Sequence, residues 1–417
     1  MRRAVLAAAL LAACARGRLV HDGRIDTDAL AEVRADLPAI RGLTFTAPVP
    51  ARALDAQEIA AWLARDLDET YPPGDLERLA AVYARLGFIP PGARLRPALE
   101  RLYEGQIAAF YDPRTKELVV GTESLGIGGV GVRLVSLISG RDLVGELLVA
   151  HELTHALQDQ HWGLPIDSEP IADAHGDRLL ARRALLEGDA TLAGYAYVQG
   201  GTPSSRTIDG IASELRGVGP TLAHDYPDVP ALLRDGLAFQ YDAGTAFAGW
   251  ALAAGGWTAV DAAEADPPES SEQVLHPARY FGTRDRPIEI TLDGTAPLEG
   301  AGWKRTVEDT LGELGVRILG ERLRDDARAR RVADGWGGDR LRALARDGTL
   351  VVVWMTAWDA DADAAEFADA APAMIPAARV DRRGTHVLVL LGADPGFVDL
   401  DGLATRVWGA TRFSRAA

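Results

Sequence analysis

"VAHELTHALQDQHWG", residues Val149 to Gly163, places three histidines and a glutamate in one short stretch. His151 and His155 are four apart, so on an α-helix both imidazoles stand on one face, one turn above the other. Glu152 sits beside the first histidine. His-Glu-x-x-His is the arrangement in which two histidines hold zinc and the glutamate takes a proton from a water that the metal activates. The flanks Leu147, Leu148, Val149 and Leu157 keep a helical period around the pair. His161, six residues after His155, leaves open which residue completes the site.

Hydrolytic zinc sites usually take three protein ligands and leave one position for water. The only cysteine is Cys14, so thiolate ligands and a disulfide framework are excluded, and histidine and carboxylate must supply the donors. His161 has the spacing of the last ligand in the metzincin pattern H-E-x-x-H-x-x-G-x-x-H. Gln158, however, stands where that pattern has the glycine that turns the chain out of the helix. A methionine turn is also wanting, since Met374 in "AMIP" lies far downstream. Glu187 lies in "ARRALLEGDATLAGYAY", on a second long helix expected over 172–198, among Leu185, Leu186, Ala190 and Leu192. Gluzincins take their third ligand, a glutamate, from such a following helix. Glu187 is the expected ligand and His161 the alternative, with Asp173, His175 and Asp177 behind them.

"HELTHALQD" looks like the zinc helix of thermolysin-type peptidases. "HELTHALQDQH", "LLEGDA", "LAFQYDAG" and "SSEQVLHPARY", in that order, resemble a group of bacterial zincin-like lipoproteins of gluzincin type, over roughly residues 105–282. The resemblance implies a metallopeptidase fold, Zn2+ as cofactor and a peptide or protein substrate. Gluzincins usually carry an acid four positions after the ligand glutamate, orienting a zinc histidine. Thr191 holds that place here, so Asp189 and Asp159 are the candidates for that work. A histidine or tyrosine commonly helps hold the oxyanion. His276 and Tyr280 in "LHPARY", and Tyr241 in "FQYDAG", are the candidates.

The amino end reads "MRRAVLAAALLAACARG": two arginines, a short apolar run, then "LAAC", which resembles a bacterial lipobox. The run is too short to span a bilayer, so residues 1–13 read as a signal peptide, with lipid attached to Cys14. Losing Arg2 and Arg3 would move the formal charge from −16 to −18. Such an acidic chain gives no support for nucleic-acid binding. The expected location is the cell envelope, lipid-anchored to a membrane and facing the periplasm or exterior.

Residues 14–50 read as a lipidated tether with a short helix around 27–37. "LDAQEIAAWLARDLDETYP" carries Leu54, Ile59, Leu63 and Leu67 at helical spacing, and Tyr71-Pro72-Pro73 stops it. Further helices are expected over 74–86 and 93–102. "QIAAFYDPRTKELVVG" changes to period two on both sides of Asp112-Pro113, a β-hairpin. "GIGGVG", 126–131, matches G-x-G-x-x-G but lacks the tight strand–turn–helix setting, so it reads as a loop. Beyond about residue 283, "DRLRALARDGTLVVVWMTAW" reads as two strands joined at Asp347-Gly348. A helix over 362–371 and the strand "HVLVLLGA" follow. "DADAD", Asp359 to Asp363, begins like a calcium loop but lacks its glycine and final glutamate, so helix capping is the reading.

The expected fold class is therefore α+β: a mostly helical zincin-like metallopeptidase domain with a small β-hairpin over 51–282, and a smaller C-terminal α+β domain over 283–417. The expected function is zinc-dependent peptide-bond hydrolysis with Glu152 as general base. The competing reading is a non-catalytic zinc-binding envelope lipoprotein acting as a scaffold. A structural zinc site normally has four protein ligands and no use for a base, so Glu152 weighs against it.

Overall fold

The computed structural model describes residues 19–21, 24–104, 108–122, 142–165, 170–392 and 399–415. Cys14, the apolar run before it and the glycines at 126–131 lie outside the described residues. The fold is α+β. Among the described residues, twelve strands form four sheets. β1 (Val20–His21) and β2 (Arg24–Ile25) make a minimal hairpin, while β3 (Ala51–Leu54), β4 (Ala109–Asp112) and β5 (Glu117–Gly121) form a sheet in the order β3-β5-β4. The expected hairpin is β4–β5, paired from Ala109↔Val120 to Asp112↔Glu117.

The histidine helix spans Leu143–Trp162. Asp142 caps its start, accepting from Gly145 N. Every residue from Val149 to Gln158 is buried, the sign of a helix packed on all sides. A helix far earlier in the chain, Thr27–Arg41, lies against it through Leu30, Val33 and Leu37, in one core with Val149, Leu153 and Leu157. The short helix expected around 27–37 is present and runs from Thr27 to Arg41. Apolar residues spaced at three and four turned the helix inward, and the packed body begins well before residue 51.

The glutamate helix, Gly176–Gln199, runs beside the histidine helix, with the long helix Ala231–Ala265 on its other side. That long helix breaks at Gly255–Gly256, where Gly256 adopts φ +68°, a conformation that costs glycine little. Short helices Ser271–Leu275 and Ala278–Phe281 follow.

The carboxyl-terminal part contains β6 (Ile288–Leu292), β7 (Lys304–Asp309), β8 (Trp336–Arg346), β9 (Thr349–Trp358), β10 (Arg379–Arg383), β11 (His386–Leu391) and β12 (Thr411–Arg415). Five of them form an antiparallel sheet in the order β10-β11-β9-β8-β7, and β12 pairs with β6. Asp347 and Gly348 both have positive φ (51° and 77°), as a two-residue hairpin turn needs. The helix Asp361–Met374 starts with Asp363 accepting from Ala360 N, so "DADAD" does serve as a cap.

Both faces of β9 are covered. Val352, Trp354 and Trp358 join a core that also holds Leu185 and Phe247, while Val351, Val353 and Met355 face a second core with Leu292 and Val407. The first core crosses the expected boundary at 282/283. Strands with two apolar faces need cover on both sides, and the helical part supplies one of them. No helix of the described residues is long and apolar enough to cross a membrane.

Candidate metal centre

His151 Nε2 lies 3.1 Å from Glu187 Oε2 and 3.2 Å from His155 Nε2, and His155 Nε2 lies 3.6 Å from the same glutamate oxygen. Donors bound at about 2.0–2.1 Å around a tetrahedral ion stand roughly 3.3–3.4 Å apart, so these separations fit a single zinc-sized ion. Among the described residues no fourth histidine, cysteine or carboxylate joins this group. Three donors with an open position match a hydrolytic site better than a structural one.

The structure thus brings Glu187 to the histidine pair and takes His161 elsewhere. The helix runs on through Gln158 to Trp162, so His161 points outward, and its Nε2 hydrogen-bonds the Thr44 carbonyl at 2.9 Å. Asp173 pairs with Arg340 and Asp177 accepts from Ser271 N. His175 precedes the glutamate helix, roughly 18 Å of helical rise from Glu187.

Glycine permits the two helices to meet at this point. A β-carbon on Gly194 would stand 2.9 Å from the Leu147 carbonyl oxygen and 3.7 Å from His151 Cβ. The histidine helix therefore lies almost backbone-to-backbone on the glutamate helix, one turn from His151 and two turns from Glu187.

His155 is oriented by a residue that sequence reasoning treated only as a missing glycine. Its Nδ1 lies 2.8 Å from Gln158 Oε1, and Gln158 Nε2 donates to the Leu186 carbonyl (3.0 Å) and to Asp189 Oδ2 (2.9 Å). Two acceptors fix which end of the amide is nitrogen, so Oε1 must accept from His155 Nδ1–H. That leaves Nε2 free to bind a cation. Asp189 accordingly reaches the histidine through Gln158. Asp159 does not: it accepts from Tyr111 OH and Lys116 Nζ, both at 2.7 Å. The overlooked signal was a buried glutamine one turn after the second histidine.

Glu152 is buried beside the ligands, and its Oε2 accepts from the backbone N–H of Tyr111 in β4 at 2.9 Å. Burial pushes its carboxyl up, opposed by His151 and His155, supported by Glu187 and opposed again by the Tyr111 N–H. Burial would likewise raise Glu187, but His155 and His151 hold it well below the usual carboxylate range. For His155, burial acts downward and is outweighed by Glu187, Glu152 and the Gln158 contact, which bring it to about 10. The carboxylates of Glu187 and Glu152 together favour positive charge at this point.

Tyr241, on the long helix, belongs to the site. Its ring is inclined by 28° to that of His151, with 6.4 Å between centroids. The charge of Glu187, burial, Glu152 and a hydrogen bond to Glu187 keep the phenol protonated, well above its ordinary pKa. The other two oxyanion candidates are engaged elsewhere. His276 Nε2 lies 3.0 Å from Glu313, and Tyr280 OH donates to the Asp266 carbonyl at 2.5 Å. Glu313 is buried in the helix Gly312–Gly320 and needs a partner, and Tyr280 packs on Phe247 of the long helix.

One family model matches the chain, a domain of unknown function (DUF8575), over residues 301–404. The match covers about a quarter of the chain and none of the residues of the metal centre. No curated protein and no solved structure matches the chain.

Proposed function

We propose that this chain is a zinc-dependent peptidase of gluzincin type with a zincin-like fold, held at the cell envelope by a lipid on Cys14 and facing the periplasm or exterior. One observation carries the reading. Two histidines and a glutamate gather donor atoms at zinc-like separations, while a fourth group, Glu152, stands beside them outside the donor set.

His151, His155 and Glu187 would hold the ion, which when bound supplies Lewis acidity to the scissile carbonyl and makes water more acidic. Glu152 accepts the proton of the attacking water and passes it to the departing amine. Its Oε2 is occupied by Tyr111 N–H, which leaves Oε1 for that proton. Among the described residues β4 is an edge strand in the order β3-β5-β4, so an extended peptide can add alongside it. Tyr241, kept protonated by the charge of Glu187 and by burial, can turn its single O–H from Glu187 to the oxyanion that develops on the carbonyl.

The test is Glu152→Gln, assayed with a broad peptide library. The side chain keeps its size but loses the base, so cleavage should fall about 10²–10⁴-fold, with zinc content and melting temperature little changed. Cleavage equal to wild type would refute the mechanism. The anchor is read separately, by loss of lipid labelling in Cys14→Ser.

A further inference from the structure

The polar chain that starts at His155 does not stop at Asp189. Arg41, the last residue of helix Thr27–Arg41, donates from Nε to Asp189 Oδ1 at 2.7 Å and from Nη2 to Asp189 Oδ2 at 3.0 Å. Both side chains are completely buried. Arg41 Nη1 also lies 2.7 Å from Asp261, and its guanidinium sits 4.7 Å from the centre of the Trp257 ring. Trp257 and Asp261 both follow the Gly255–Gly256 break, which turns that stretch of the long helix over Arg41. The next residue, Gly42, ends the helix at φ +84°.

This is more than a structural ion pair. A two-point fork fixes the plane of a carboxylate, which one point charge cannot do. With that plane fixed, Asp189 Oδ2 faces Gln158 Nε2, the amide cannot flip, and Gln158 Oε1 is held toward His155 Nδ1–H. We propose that Arg41 is a positioning residue for the metal centre: it sets Asp189, Asp189 sets Gln158, and Gln158 aims His155 Nε2 at the ion. The proposal rests on the zinc reading above. It places a determinant of metal affinity 114 residues before the ligand it serves, on a helix that touches neither His151 nor Glu187 through any described polar contact.

The experiment compares the wild-type chain with Gln158→Met, which keeps the bulk and removes the amide, and with Arg41→Lys, which keeps the charge and removes the fork. Zinc affinity is read by chelator competition. In the metal-free proteins, the melting temperature is measured, and the His155 Nδ1–H proton is followed by its one-bond ¹H–¹⁵N correlation and exchange rate. Removing such an outer partner typically costs about 10–100-fold in metal affinity. Gln158→Met should lose that much and Arg41→Lys a smaller factor, and both should lose the slowly exchanging Nδ1–H signal. Unchanged affinity in Arg41→Lys would overturn the proposal, whatever Gln158→Met does. So would affinity losses that merely follow the melting temperature while the Nδ1–H signal persists. If the wild type takes up no zinc, the peptidase reading fails, and the Nδ1–H signal alone decides this one: its loss in Arg41→Lys supports the chain, and its persistence overturns it.

Discussion

Gly188 and Gly244 meet backbone to backbone: a β-carbon on Gly188 would stand 2.1 Å from the Gly244 carbonyl oxygen, and one on Gly244 would stand 2.0 Å from that of Ala184. Glu187 lies one residue before the first glycine and Tyr241 three before the second. The contact therefore sets how closely Glu187 and the Tyr241 phenol approach. Neither obstruction is the tip of a flexible side chain, so an added methyl must separate the helices.

Gly188→Ala should destabilise the fold by about 1–3 kcal/mol, the usual range for overpacking, and should weaken zinc binding. Gly210→Ala is the control. It lies in helix Ser205–Leu215 with nothing within 4 Å of the added carbon, and should stabilise by about 0.4–1 kcal/mol. Denaturant unfolding of the two variants should give shifts of opposite sign. A neutral Gly188→Ala would mean that the close contact does not constrain the site.

Tyr241→Phe removes only the hydroxyl. If that group donates to the oxyanion, kcat should fall about 10²–10³-fold, with KM and zinc content close to wild type. An equal fall in zinc content would reassign Tyr241 to holding Glu187 alone.

A pH dependence is expected from the junction between the glutamate helix and the carboxyl-terminal sheet. Burial pushes Asp177 up to about 7; hydrogen bonds from Ser271 oppose this, and Asp339 and Glu313 add to it. A raised carboxyl binds its proton more tightly in the folded than in the unfolded chain. Stability therefore declines as pH rises from about 4 to about 7, with the full penalty above that range and none below it. Asp177→Asn cannot ionise, so its stability relative to wild type should rise across that window, by up to a few kcal/mol. Chemical unfolding at pH 4, 5.5, 7 and 8.5 measures it. A difference between the two proteins that stays constant with pH would contradict the assignment.

The parts of the molecule legible in the sequence are those encoded by neighbours along the chain. The histidine pair four apart, the apolar surroundings of Glu187, the β4–β5 hairpin and the Asp347-Gly348 turn are all local patterns, and the structure contains each of them. What escaped was long-range. Arg41 meets Asp189 across 148 positions, and β6 finds β12 from Ile288↔Arg415 onward. β3, too short to show a period, joins β5 in parallel. Such partners leave no mark in a local window. Gln158 stands where another pattern has glycine, which says nothing of its own amide, and the residue types of His276 and Tyr280 do not reveal which way their segment turns.

The most direct measurement is metal analysis of the chain purified under metal-replete conditions, for wild type, Glu187→Ala and His161→Ala. The account predicts about one zinc ion per chain in wild type and in His161→Ala, and a large loss in Glu187→Ala. Zinc-free wild type, or zinc lost with His161 and kept without Glu187, would contradict it.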